Sequence, residues 1–85
     1  MSRCVPFQQM IEAGRPEEAI AGLLGELAQD PGYSGAYFNL ALAFEALGHP
    51  RLAAEVHRIY LELSPEGYWA SNARAKLLEL ERANP

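Results

Sequence analysis

The side chains able to do chemistry are few and scattered. The one cysteine, Cys4, sits near the start of the chain without a flanking His or Lys to lower its pKa, so it reads as an ordinary thiol. Being alone, it forms no intrachain disulfide. His49 and His57 lie eight residues apart with no second ligand at i+4, which is not a metal-site spacing. His49 falls in a turn before Pro50, and His57 reads as a half-buried ring that bonds a neighbouring carbonyl or carboxylate. Glu17 and Glu18 are adjacent, and on a helix adjacent side chains diverge by about 100°, so the pair cannot share a substrate. Tyr33, Tyr37, Tyr68 and Trp69 could form a stacking platform, but at helical spacing aromatics read as packing. Trp69 either covers the end of the fold or offers a sticky patch. There is no Gly-rich phosphate loop, no nucleophile motif and no Cys/His cluster. Neither an enzyme nor a bound cofactor or metal is expected.

Composition narrows the classes further. The chain has 85 residues, 49% of them hydrophobic, and its 7 basic and 11 acidic side chains give a net charge of −4. That length suits one domain with a thin core, since a chain this short hides only about 60% of its unfolded surface. Lys76 is the only lysine. A nucleic-acid partner, which basic residues would have to neutralise, is therefore not expected, and neither is a helix-turn-helix reader of DNA. The first ten residues carry no apolar signal-peptide core, and Met1 fits a native start. No apolar run approaches the roughly 20 residues that span a bilayer. A cytoplasmic protein with no membrane contact is the expectation.

The elements that would position these side chains follow from a repeat. The shift that carries Gly14 onto Gly48 also aligns Pro16 with Pro50, Ala19 with Ala53, Leu27 with Leu61 and Pro31 with Pro65. Each glycine can take positive φ and end a helix. The proline two residues later suits a first helical turn, and Glu17 and Glu18 then face the positive end of a helix dipole. Asp30-Pro31 and Ser64-Pro65 stop the second helix of each unit, because the residue before proline avoids the helical region.

Apolar spacing agrees with that punctuation. Ala19, Ile20, Leu23, Leu24 and Leu27 share one helix face, as do Tyr37, Leu40, Ala41, Phe44 and Leu47. Leu52, Ala53, Val56, Ile59, Tyr60 and Leu63 cover a wider arc, which predicts neighbours on two sides. The spacing predicts helices at about 5–13, 17–29, 34–47, 51–63 and 67–82, the last marked by Tyr68, Trp69, Ala70, Ala73, Leu77 and Leu80. Gly22 and Gly25 interrupt the second helix, either for the close approach of another backbone or on an exposed face.

With these residues in place, the chain resembles the tetratricopeptide repeat family. Tyr37, Leu40, Ala41, Phe44, Gly48, Ala53 and Pro65 match its spaced pattern in the second unit, and Gly14, Ala19, Leu23 and Pro31 match it in the first. His57 stands where an aromatic is usual, Tyr60 where a small residue is usual, and Pro6 and Phe7 replace the leucine and small residue of the first unit. The resemblance covers about residues 5–65. It implies an all-α single domain over 1–85, an α-solenoid of two helix-turn-helix repeats (about 1–31 and 32–65) with a C-terminal capping helix (about 66–83).

Such folds bind segments of other proteins on a concave face lined by the first helix of each pair. By resemblance, the expected role is an adaptor that holds a partner protein or peptide segment. The residues expected to face it are Gln8, Ile11 and Glu12 on the first helix and Phe38, Asn39, Leu42 and Glu45 on the third. Asn72, Lys76 and Arg74 are the candidates on the fifth. Phe38, Asn39, Leu42 and Glu45 are expected opposite the core set of Tyr37, Leu40, Ala41 and Phe44, with Asn39 pairing to a partner's backbone. A subtype that grips a terminal carboxylate with basic residues is not expected, since Cys4 and Gln8 occupy the corresponding first-unit positions. An apolar or mildly basic segment suits the groove better. The alternative is a self-associating module that dimerises through its exposed ends.

Overall fold

The computed structural model describes residues 5–83, and these form an all-helical fold. The elements are α1 (Val5–Glu12), α2 (Pro16–Gln29), α3 (Ser34–Ala46), α4 (Pro50–Leu63) and α5 (Ala70–Ala83). Consecutive helices pack on one another, and α1 also touches α3. Among the described residues no helix is long and apolar enough to cross a membrane. Cys4 lies outside the described residues.

The turns are built as the glycines and prolines dictate. Gly14 and Gly48 adopt φ of 79° and 81°. At the end of α1, the Gly14 N–H bonds the Ile11 carbonyl (3.1 Å) and the Arg15 N–H bonds that of Met10 (2.8 Å). At the end of α3, Gly48 bonds Glu45 (2.9 Å) and His49 bonds Phe44 (2.9 Å). Both are Schellman caps, which satisfy carbonyls that a helix end would otherwise orphan. Pro16 and Pro50 then open α2 and α4 at the position where a missing N–H costs nothing. α2 and α4 end in β-turns with proline second, closed by Tyr33 N–H to Asp30 O (3.0 Å) and Gly67 N–H to Ser64 O (3.1 Å). Each of these bonds in the first hairpin has its counterpart in the second, at the same offset that aligns Gly14 with Gly48.

Two apolar clusters hold the helices together. The larger joins Ala19 and Leu23 of α2, Ala36, Leu40 and Ala41 of α3 and Val56 of α4, with Phe7, Met10 and Ile11 of α1 packed against it. The smaller joins Phe38, Tyr60, Ala70 and Ala73, with Trp69 and Leu61 at its edge. Tyr37 borders both clusters. Arg58 of α4 pairs with Glu81 of α5 at 2.9 Å, and the Trp69 N–H donates to the Tyr60 hydroxyl at 3.0 Å.

Three expectations need correction. The fifth helix begins at Ala70 rather than 67, so Tyr68 and Trp69 stand in the connection before it, Tyr68 almost fully exposed. Leu52, Ile59 and Leu63 of α4 are exposed despite the wide apolar arc, as is Leu24 of α2, although α4 does have α3 and α5 on two sides. Gly22 makes a close approach, but to a ring rather than a backbone: a Cβ there would lie 2.2 Å from the Phe7 Cε1. Gly25 faces open space.

Candidate functional site

Three helices each present a row of side chains to one open side. On α1 the row is Gln8, Ile11 and Glu12, at i, i+3 and i+4, which brings them onto one face. On α5 it is Asn72, Lys76 and Glu79, at i, i+4 and i+7, preceded by Trp69 one turn earlier. Between them α3 supplies Phe38 and Leu42, also four apart. A hollow of about 210 Å³ lies between α1 and Leu42, and one of about 330 Å³ between α3 and α5. Leu42 borders both, so the hollows adjoin at that side chain and together make up the trough.

Phe38 forms the base of the α5 side. It is 5% exposed, and its ring stacks on Trp69 at 5.4 Å with the planes 7° apart. It also meets His57 and Tyr60 at tilted angles, 5.5 and 5.8 Å between centroids. Phe38 therefore belongs to the core while also lining the hollow, which corrects the expectation of a residue away from the core. Asn39 is a second correction: it is fully buried, its Nδ2 donates to the Gly35 carbonyl at 3.0 Å, and it lines neither hollow. The physical reason is the position of α3. It is covered by α2 and α4 and touched by α1, and the Trp69 ring before α5 covers Phe38, so α3 has almost no free face.

Glu45, half-buried on α3, borders neither hollow. One carboxylate oxygen is 3.8 Å from the Lys76 ammonium and the other 3.6 Å from Nε2 of His57. The second distance exceeds a hydrogen bond. Glu45 Oε2, both ring nitrogens of His57 and Oδ1 of Asn39 are buried and make no hydrogen bond among the described residues. The expectation that His57 bonds a carbonyl or carboxylate is thus not met, and the ring is fully rather than half buried.

Burial pushes the His57 pKa down to about 4, with the positive charge of Lys76 adding to the effect, so the ring is neutral at pH 7. Burial also raises the Glu45 carboxyl above its usual range; Lys76 opposes that shift and Glu79 adds to it.

Of the residues expected on this face, Gln8, Ile11, Glu12, Leu42, Asn72 and Lys76 line the trough together, with Phe38 at its base. Arg74 does not; its guanidinium turns back to the Pro65 carbonyl. Spacing leaves Ala75 and Glu79 out of the expected lining and gives Trp69 only as a cover for the fold's end or a sticky patch, yet all three border the hollow. The i+3 step from Asn72 or Lys76 would have found Ala75 and Glu79. Among the described residues no group of three or more His, Cys, Asp or Glu could hold a metal ion. Comparison with known proteins gives no match to a family model, to a curated protein or to a solved structure.

Proposed function

We propose that this chain is a short α-solenoid of two tetratricopeptide-like hairpins capped by α5. It works without catalysis, as an adaptor that holds a segment of a partner protein in the trough. The turn bonds that recur from one hairpin to the next support the repeat reading. The two hollows that adjoin at Leu42 are the observation that carries the binding reading. Small pockets of mixed polarity on the open side of stacked helices suit a polypeptide better than a small molecule. A cytoplasmic setting is part of the same proposal.

The test is affinity capture from the native cell with the wild-type chain, Leu42→Glu and Glu62→Lys. Glu62 is exposed on α4, which does not line the trough. A partner lost with Leu42→Glu, kept with Glu62→Lys, and accompanied by unchanged helical circular dichroism supports the adaptor. A partner that Leu42→Glu retains overturns it.

A second reading rests on Leu52, Ile59 and Leu63, which are 45%, 40% and 47% exposed along one side of α4. Their spacing of i, i+7 and i+11 makes a stripe that a second copy could cover. Sedimentation at rising concentration tests it, and Ile59→Glu should return any dimer to monomer.

A further inference from the structure

We propose that the trough selects an extended segment of about six residues with an apolar centre and a lysine or arginine towards each end; this rests on the adaptor reading above. The length follows from geometry. Crossing from α1 to α3, and on to α5, which meets α3 through side chains such as Ala73 against Phe38, takes at least two steps of about 8–10 Å each, and an extended chain advances about 3.3 Å per residue.

The charge preference follows from the lining. Glu12 stands on the α1 side and Glu79 on the α5 side, and the half-buried Glu45 adds a third carboxyl beside Lys76. The single opposing cation is Lys76, which is already within 3.8 Å of Glu45 and has Glu79 one turn away. Arg74, the other nearby base, is taken by the Pro65 carbonyl. An acidic segment or a terminal carboxylate would therefore meet two carboxylates at the margins and no free cation among the lining residues. A basic segment meets complementary charge at both ends.

The apolar centre follows from Leu42, which both hollows share, with Ile11 to one side and the Trp69 and Phe38 rings to the other. The indole also offers an aromatic surface to an arginine. Gln8 and Asn72, one at either side, each carry an amide donor and acceptor for the segment's backbone. That is the role the buried Asn39 cannot perform.

Fluorescence polarisation with short synthetic peptides tests this directly. The peptides share a leucine–phenylalanine centre and differ in their flanks, which are lysine and arginine, serine, or glutamate. The basic peptide is expected to bind best and to weaken as salt rises, since screening shortens the reach of exposed charges. Glu12→Gln and Glu79→Gln should each weaken it by about twofold to fivefold, and the double Glu12→Lys/Glu79→Lys variant should shift preference to the glutamate peptide. Glu62→Lys should change nothing. If the serine or glutamate peptide binds the wild-type chain as well as the basic one, and Leu42→Glu abolishes it, the charge inference fails while the adaptor reading stands. If Glu62→Lys weakens the basic peptide as much as the trough variants do, the attraction is only to net charge and the inference fails. If none of the peptides binds, both readings fail.

Discussion

The two hairpins share a backbone and differ in how they fill it. Hairpin α1–α2 and hairpin α3–α4 have the same caps, the same glycine conformation and the same turn bonds, one repeat apart. Their side chains solve the packing differently. In the first, the bulky Phe7 sits against Gly22. At the equivalent places in the second, one repeat further on, stand the small Ala41 and the larger Val56, both in the core. The bulk of the pair is divided differently, one large ring against a glycine in the first hairpin and two smaller side chains in the second. Phe7 therefore does not break the repeat, because Gly22 makes room for it. The pattern extends deeper: Leu23 is fully buried in the first hairpin, and its counterpart in the second is the fully buried His57.

That last difference should give the largest effect. His57 titrates near 4 in the folded chain and near 6.5 when unfolded. Above pH 6.5 it is neutral in both states. As pH falls from there towards 4, the unfolded chain gains a proton that the folded chain refuses, so stability falls. Glu45 works the other way, since a carboxyl raised by burial is relieved by protonation, and it offsets part of the loss at the acid end. His57→Leu, which copies the first hairpin, should stabilise by about 1–2 kcal/mol at pH 7 by removing two unpaired buried nitrogens. It should gain about 2 kcal/mol more by pH 5. Urea midpoints at both pH values check this, and a variant with the same pH slope as wild type would sink it.

The volume exchange comes next. Phe7→Ala and Gly22→Val should each cost about 2–3 kcal/mol, one by leaving a void and the other by overpacking. The double variant reproduces the Ala41 and Val56 arrangement, so it should cost at least about 1 kcal/mol less than the sum of the singles. A strictly additive pair in denaturant unfolding would mean that the two sites are not coupled.

The smallest test concerns the shared part. Gly14→Ala and Gly48→Ala should each cost about 1 kcal/mol, because an L side chain is strained at positive φ. The two costs should agree, since neither position has an atom within 4 Å of a built Cβ. Unequal losses on thermal melting would break the equivalence of the two turns.

Legibility in the sequence followed the same division. Gly14, Pro16, Gly48 and Pro50 act through φ and the missing N–H, which are local properties, and the ends of the first four helices fell within one residue of the spacing-based expectation. The fifth helix did not, because Gly67 and the pairing of the Trp69 N–H with the Tyr60 hydroxyl draw two more residues into the turn. Asn39 was misplaced for another reason. A helix with a free side shows which residues face outward by their spacing, but α3 is surrounded, so periodicity carries little information there. Spacing puts Glu45 on the groove face, and no one-dimensional signal brings His57 of α4 and Lys76 of α5 to its two carboxylate oxygens. Gln8, Ile11 and Glu12 lie at i, i+3 and i+4 on α1, and that spacing sets them beside one hollow.

The flat contact between Phe38 and the chain's one tryptophan has a practical consequence. The indole marks the seam where the final helix meets the rest of the molecule, so its emission reports on that seam rather than on the whole chain. In a fold whose parts touch mainly their immediate neighbours, the last helix can peel away while the opening pair stays wound. A colour change in the indole that precedes the loss of helical ellipticity would record that unzipping from the end.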